Sequence, residues 1–220
     1  MARKLGMARK LGIAPKLLLV VSLVGILAAL GAGSAQARGL RALVAPTSVC
    51  PNQTDLADSA AVQEQAMHCM TDYARRRRGL GQLGNAAELD RSAVGKTDDI
   101  LRCDTFSHYA CGRQFTYWMK RSGYLAARCW RAGENLAWGV GQFGDVRSIF
   151  VAWLHSPEHR ENLLGPYSQI GIALEVGDLE GHRSAHVWTQ EFGSHCGASP
   201  HRHRHVVPPH FGLQSAYRAR

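Results

Sequence analysis

An α+β fold is expected of this chain on two observations. Apolar residues recur at three- and four-residue steps in segments between residues 55 and 154, and after residue 170 the period drops to two. Helices gathered ahead of a terminal hairpin suit a layered architecture in which helical stripes cover an apolar sheet face.

Residues 38–54 are small, polar and Pro-containing, and they read as a linker leading into a first helix near Asp55. Leu56, Val62, Ala66, Met67, Met70 and Tyr73 give that helix its apolar stripe, and Gly79 and Gly81 end it. The run Arg75 to Arg78 falls at its C-terminal end, where cations suit the negative pole of the helix dipole, so it reads as a solvated helix end. A second helix is expected from about Ala87 to Leu101. A third runs from about Arg113 to Arg121, with Phe115, Trp118 and Met119 on one side. The fourth spans about Val146 to Leu154 and buries Ile149, Phe150 and Trp153. Ser156 then reads as an N-cap and Pro157 as the first residue of a new short helix. Ile170, Ile172, Leu174 and Val176 alternate with other residues, a turn-rich stretch covers Gly177 to Gly181, and Ala185 to Phe192 returns as the antiparallel partner.

Both ends differ in kind from this body. Arg3, Lys4, Arg9, Lys10 and Lys16 precede an uncharged apolar run from Leu17 to Leu30, closed by Ala35-Gln36-Ala37. That is the pattern of an export signal cleaved after Ala37, and the run is short for a membrane span, so residues 1–37 are expected to leave no transmembrane anchor after processing. Residues 199–220 hold His201, His203, His205 and His210 amid Arg and Pro and read as a disordered tail. Removing the leader leaves 183 residues, enough for one domain with a sizeable core, placed here at 55–198. The net charge of +9 belongs to the ends: of 26 basic residues, five precede residue 38 and four follow Pro200, leaving 17 against 17 acidic residues between them. A body with no net charge argues against a nucleic-acid partner.

Six cysteines, Cys50, Cys69, Cys103, Cys111, Cys129 and Cys196, all lie after the leader and include no C-x-x-C. In an exported chain an even count reads as three disulfides. Fifteen pairings are possible. The one expected here joins Cys50 to Cys69, Cys111 to Cys129, and Cys103 to Cys196.

Four phrases occur in order: Phe106-Ser107-His108, Gly133-Glu134-Asn135-Leu136-Ala137, Trp153-Leu154-His155-Ser156-Pro157-Glu158-His159-Arg160-Glu161-Asn162, and Trp188-Thr189-Gln190-Glu191-Phe192-Gly193. In that order and spacing the chain closely resembles the bacterial branch of the CAP superfamily, the cysteine-rich secretory, antigen 5 and pathogenesis-related 1 proteins that share an SCP domain. The resemblance runs from about Glu64 to Cys196. It implies a three-layer α-β-α sandwich, a secreted protein and a cleft. Its members have been associated with lipid or sterol binding, defence and occasional proteolysis. Animal and plant members carry two histidines and two glutamates in the cleft. The GEN glutamate matches Glu134, and the first histidine matches His108, although 26 positions separate the two here. The second glutamate falls on Ser156 and the second histidine on Pro166, so half the tetrad is missing, and His159 is the residue that could replace it.

Two imidazoles and a carboxylate can hold a divalent metal such as zinc with a position open for water or ligand. The same trio can equally be a hydrogen-bonded structural cluster. Binding of an unidentified extracellular ligand, a lipid or an envelope component, is the reading preferred, with no cofactor required and no activated nucleophile visible. The alternative is a metal-dependent hydrolase or peptidase using His108, Glu134 and His159. A narrower version rests on His155-Ser156-Pro157-Glu158-His159, which fits the H-x-x-E-H pattern of inverted zinc peptidases. Pro157 argues against it, because that motif needs one unbroken helix.

Overall fold

The protein is described by a computed structural model that covers residues 39–196. The leader (1–37) and the tail (199–220) lie outside the described residues. Five helices are labelled here: α1 (Ala60–Arg77), α2 (Ala87–Arg102), α3 (Thr116–Arg121), α4 (Val146–His155) and α5 (Pro157–Leu163). Four strands, β1 (Gly84–Asn85), β2 (Trp130–Val140), β3 (Gln169–Leu179) and β4 (His182–His195), form one sheet in the order β1-β3-β4-β2. The β1–β3 pair is parallel and the other two are antiparallel.

The sheet is covered on both faces, as a three-layer sandwich requires. On one face Met67 and Met70 of α1, Phe150 and Trp153 of α4 and Leu163 of α5 pack against Ile170, Leu174, Trp188 and Phe192. On the other, Leu89 and Ile100 of α2 and Met119 of α3 pack with Leu136, Val187 and Tyr124. Strand alternation sends Trp188 and Phe192 to the first face and Val187 to the second. Close approach of α2 to the sheet depends on Gly171, since a Cβ there would overlap the backbone of Leu89.

Three helix expectations hold to within a few residues. α1 begins at Ala60 rather than near Asp55, because Ser59 takes the N-cap position and its hydroxyl accepts from the Val62 amide. Ser156 is extended (φ −84°, ψ 122°) and Pro157 opens α5, as the Pro-at-first-turn rule requires. Two strands went unread. β1 has only two residues, and β2 carries the GENLA phrase, whose buried apolar and polar residues follow no clean alternation.

The segment 39–54 is not a linker. Leu40, Leu43, Ala45 and Cys50 are buried with the α1–α4 core, and Gln53 donates to the Ala45 and Cys50 carbonyls. Nor is the arginine run wholly solvated. Arg75 is buried, and its guanidinium donates to the carbonyls of Gly81, Leu163, Gly165 and Tyr167, tying α1 to the end of α5.

The disulfides are Cys50–Cys69, as expected, and Cys103–Cys111 and Cys129–Cys196, which replace the other two expected pairs. Geometry explains the correction. Cys103 caps α2, and the turn after it returns Cys111 to a Cα separation of 5.5 Å. Cys129 precedes β2 and Cys196 follows β4; since Trp130 is registered with His195, the flanking cysteines face each other at 5.4 Å. Among the described residues no cysteine is free, and no helix is long and apolar enough to cross a membrane.

Candidate functional site

β2 is one of the two edge strands and supplies Glu134. The amide of Cys196 donates to the Cys129 carbonyl, which makes 129/196 a hydrogen-bonded pair and fixes the parity of the ladder. Odd-numbered residues of β2 therefore bond to β4, and the carbonyls of Ala132, Glu134 and Leu136 point outward. Those carbonyls accept from Tyr167 Oη, Asn162 Nδ2 and Trp153 Nε1. Here the GEN and SPEHR phrases meet: Asn162 also donates to Asn135 Oδ1, and Asn135 Nδ2 donates to the His159 carbonyl. The Glu134 side chain leaves on the α2 face, where it meets Lys96 and His108.

His108 sits on the loop between Cys103 and Cys111. Its Nδ1 lies 2.6 Å from Glu134 Oε1, and Lys96 Nζ donates to its carbonyl at 2.8 Å. Lys96 is also 3.7 Å from Glu134 Oε2, with 0% and 1% of the two side chains exposed, whereas 49% of His108 is open to solvent. Opposite Glu134 in register stands Glu191, which is wholly buried; its Oε1 accepts from Ser92 Oγ. Burial first, and the neighbouring Glu134 second, push the Glu191 carboxyl well above the usual carboxylate range. Burial and that neighbour therefore both favour the neutral form of Glu191. The second oxygens of Glu134 and Glu191 are both buried without a hydrogen-bond partner among the described residues.

Of the residues singled out from sequence, His108 and Glu134 are joined directly. His159 lies beyond β2 on α5, with Nδ1 2.8 Å from Ser156 Oγ. Burial chiefly, then the proximity of His108, lowers its pKa, partly opposed by Glu158. The H-x-x-E-H pattern is not assembled: the helix breaks at Ser156, Glu158 is exposed, and His155 opens onto a different groove. The tail histidines lie outside the described residues.

Within the trio, His108 Nδ1 faces one Glu134 oxygen, the other Glu134 oxygen faces the Lys96 ammonium, and His159 Nδ1 faces Ser156 Oγ. Among the described residues no group of three or more His, Cys, Asp or Glu is arranged to hold a metal. Lys96, Glu191 and Ser92 were missed in sequence although a signal existed. Thr189 and Glu191 alternate with Trp188, Gln190 and Phe192, and Ser92 and Lys96 share the inward stripe of α2. Buried polar residues on both sides of one interface mark a network.

No family model matches the chain. It is 29% identical over 140 residues to the uncharacterised protein YkwD of Bacillus subtilis, an alignment covering 63% of this chain and 50% of that protein. The chain thus spans about half the length of the curated relative it matches. Among solved structures it is similar to an extracellular SCP-domain protein of Bacillus anthracis (24% identity, TM-score 0.49, 60% of this chain and 40% of that one). It is similar also to a cysteine-rich secretory protein of Staphylococcus aureus (18%, 0.47, 62% and 39%). A third is an outer surface protein of Borrelia burgdorferi (19%, 0.48, 59% and 90%). The chain is similar to these bacterial proteins, and the phrases FSH, GENLA, SPEHR and WTQEFG are what it has in common with the CAP superfamily.

Proposed function

We propose that this chain is an extracellular or envelope-facing binding module whose ligand is an anionic amphiphile. The observation that carries the reading is a groove of about 540 Å³ between residues 40–46 and α4. Leu40, Val44, Val151 and Leu154 make its floor, and Arg41, Arg147 and His155 stand around it. That volume lies within the span of small-molecule sites, about 300–1,000 Å³. An acyl chain gains roughly 0.8 kcal/mol per buried methylene there, and the cationic rim suits a carboxylate or phosphate head. Three disulfides suit an oxidising compartment. The test is calorimetric titration of a long-chain carboxylate into the chain beginning at Arg38, beside Arg41→Glu and Val151→Asp. Each variant should weaken binding at least tenfold; equal affinity in all three, or none in the parent, removes the proposal.

One observation favours a second reading, hydrolysis at His108, Glu134 and His159. The 2.6 Å contact with Glu134 holds His108 Nδ1 and leaves Nε2 toward solvent, the arrangement a general base needs. Binding is preferred because the groove supplies both an apolar lining and cationic side chains. Turnover of ester substrates abolished by His108→Ala and by Glu134→Gln would reverse that preference.

A further inference from the structure

The Cys103–Cys111 bridge differs from the other two in what it holds. It closes a loop of sequence separation 8, and His108 lies inside that loop. Both ends of the loop adopt left-handed backbone that side-chain-bearing residues avoid: Asp104 has φ 46° and Cys111 φ 55°, with Gly112 following at 71°. Such conformations persist where the surrounding structure over-determines them, and the bridge ties left-handed Cys111 to Cys103, the residue before left-handed Asp104. Ala110 is buried and Phe106 packs beside it, while Glu180 accepts from the Phe106 amide and its own amide donates to Asp104, so both ends of the loop are anchored. Between those anchors the ties of His108 itself are the Lys96 bond to its carbonyl and the Glu134 contact with its ring.

The bridge also has a polarised sulfur. Arg102 Nη2 donates to Cys111 Sγ at 3.3 Å, and neither cysteine is buried in the core, whereas Cys50 is fully buried. A guanidinium beside a sulfur stabilises the thiolate it would become, and a stabilised thiolate leaves faster in exchange.

We propose that Cys103–Cys111 is an exchangeable disulfide, a modification site for an extracellular dithiol, and that its opening detaches His108 from Glu134. The dithiol's thiolate attacks Cys103 Sγ, and the electron pair of the broken S–S bond passes to Cys111, which departs as a thiolate facing Arg102. The second thiol of the reductant then attacks its own sulfur in the mixed disulfide, releasing Cys103. Two electrons and two protons pass to the protein, and the reductant becomes a cyclic or intramolecular disulfide. With the bridge open, Asp104 and Cys111 relax from left-handed geometry and the loop carries His108 away. Glu134, Lys96 and Glu191 stay where β2, α2 and β4 hold them. The inference does not depend on the ligand of the groove.

The experiment uses the oxidised chain beginning at Arg38, treated with graded dithiothreitol, alkylated and mapped by mass spectrometry, with the His108 imidazole followed by NMR. Cys103 and Cys111 should take label before Cys50 and Cys69. The His108 signal should move to that of a solvated imidazole while the core amide spectrum stays native, and Cys103→Ser with Cys111→Ser should reproduce that spectrum without reductant. Arg102→Ala should slow opening by roughly three- to tenfold. The proposal is overturned by an unmoved His108 signal after the bridge is open, by opening that occurs only together with Cys50–Cys69 as the fold is lost, or by an unchanged rate in Arg102→Ala.

Discussion

Replacing Lys96 by Met is the most demanding test of the buried cluster, because it removes a buried cation facing two carboxyl groups while preserving most of the side-chain volume. Lys96 and Glu134 are 0% and 1% exposed in their side chains and 3.7 Å apart. At an effective dielectric constant of about 20, unit charges at that distance attract by about 4 kcal/mol. The hydrogen bond from Nζ to the His108 carbonyl, at 2.8 Å, adds a charge-assisted contribution of about 1.5–3 kcal/mol. Against both stands the relief of no longer burying an ammonium, several kcal/mol in itself. Breaking one side of a buried pair leaves a net cost of about 3–5 kcal/mol, since Glu134 stays behind without its counter-charge. Urea unfolding of the oxidised chain at pH 7 measures it as a fall in midpoint at constant slope. A cost below about 1 kcal/mol would refute the claim that Lys96 neutralises the site.

Three further outcomes are expected. Removing Cys129–Cys196, which spans 67 positions, should cost about 4 kcal/mol in denaturant unfolding, and removing Cys103–Cys111, which spans 8, about 2–3 kcal/mol; equal losses would contradict loop closure as the source. Glu191 has a folded pKa raised above its unfolded value, so the stability tied to its proton is full below about pH 4.5 and is lost as pH rises through the folded pKa. Glu191→Gln should therefore flatten the stability profile on that alkaline side, and a profile unchanged there would show that Glu191 is already ionised. Intact-mass measurement of exported protein should find Arg38 as the first residue, and a mass that retains Leu17 to Leu30 would defeat the reading of residues 1–37 as a cleaved leader.

Much of the site could be read in sequence and its chemistry could not. Glu134 and His108 were singled out because the GENLA and FSH phrases resemble those of the CAP superfamily, and the tertiary structure places them 2.6 Å apart. Lys96 and Glu191 escaped because each is an ordinary surface residue type on its own element, and only the packing of α2 against β4 turns both inward. His155 was set apart correctly by Pro157, a constraint that acts through neighbouring bonds. The segment 39–54 misled in the opposite direction: small and polar in composition, it still places Leu43 and Ala45 in a core built by α1 and α4.

What the sequence by itself determined was periodic or covalent and local: the helices over residues 60–77, 87–102 and 146–155, the stop at Ser156 and Pro157, the hairpin of β3 and β4, and an even complement of cysteines. Such features depend on residues within a turn or two of each other, where propensity and side-chain spacing act directly. Only the tertiary structure decided which cysteines meet, that GENLA is an edge strand, and that the Lys96 ammonium stands beside Glu134. Those outcomes depend on strand register and on burial, which are set by contacts between residues dozens of positions apart. No local pattern specifies them, because a one-residue shift in register would have turned Glu134 and Glu191 to the other face.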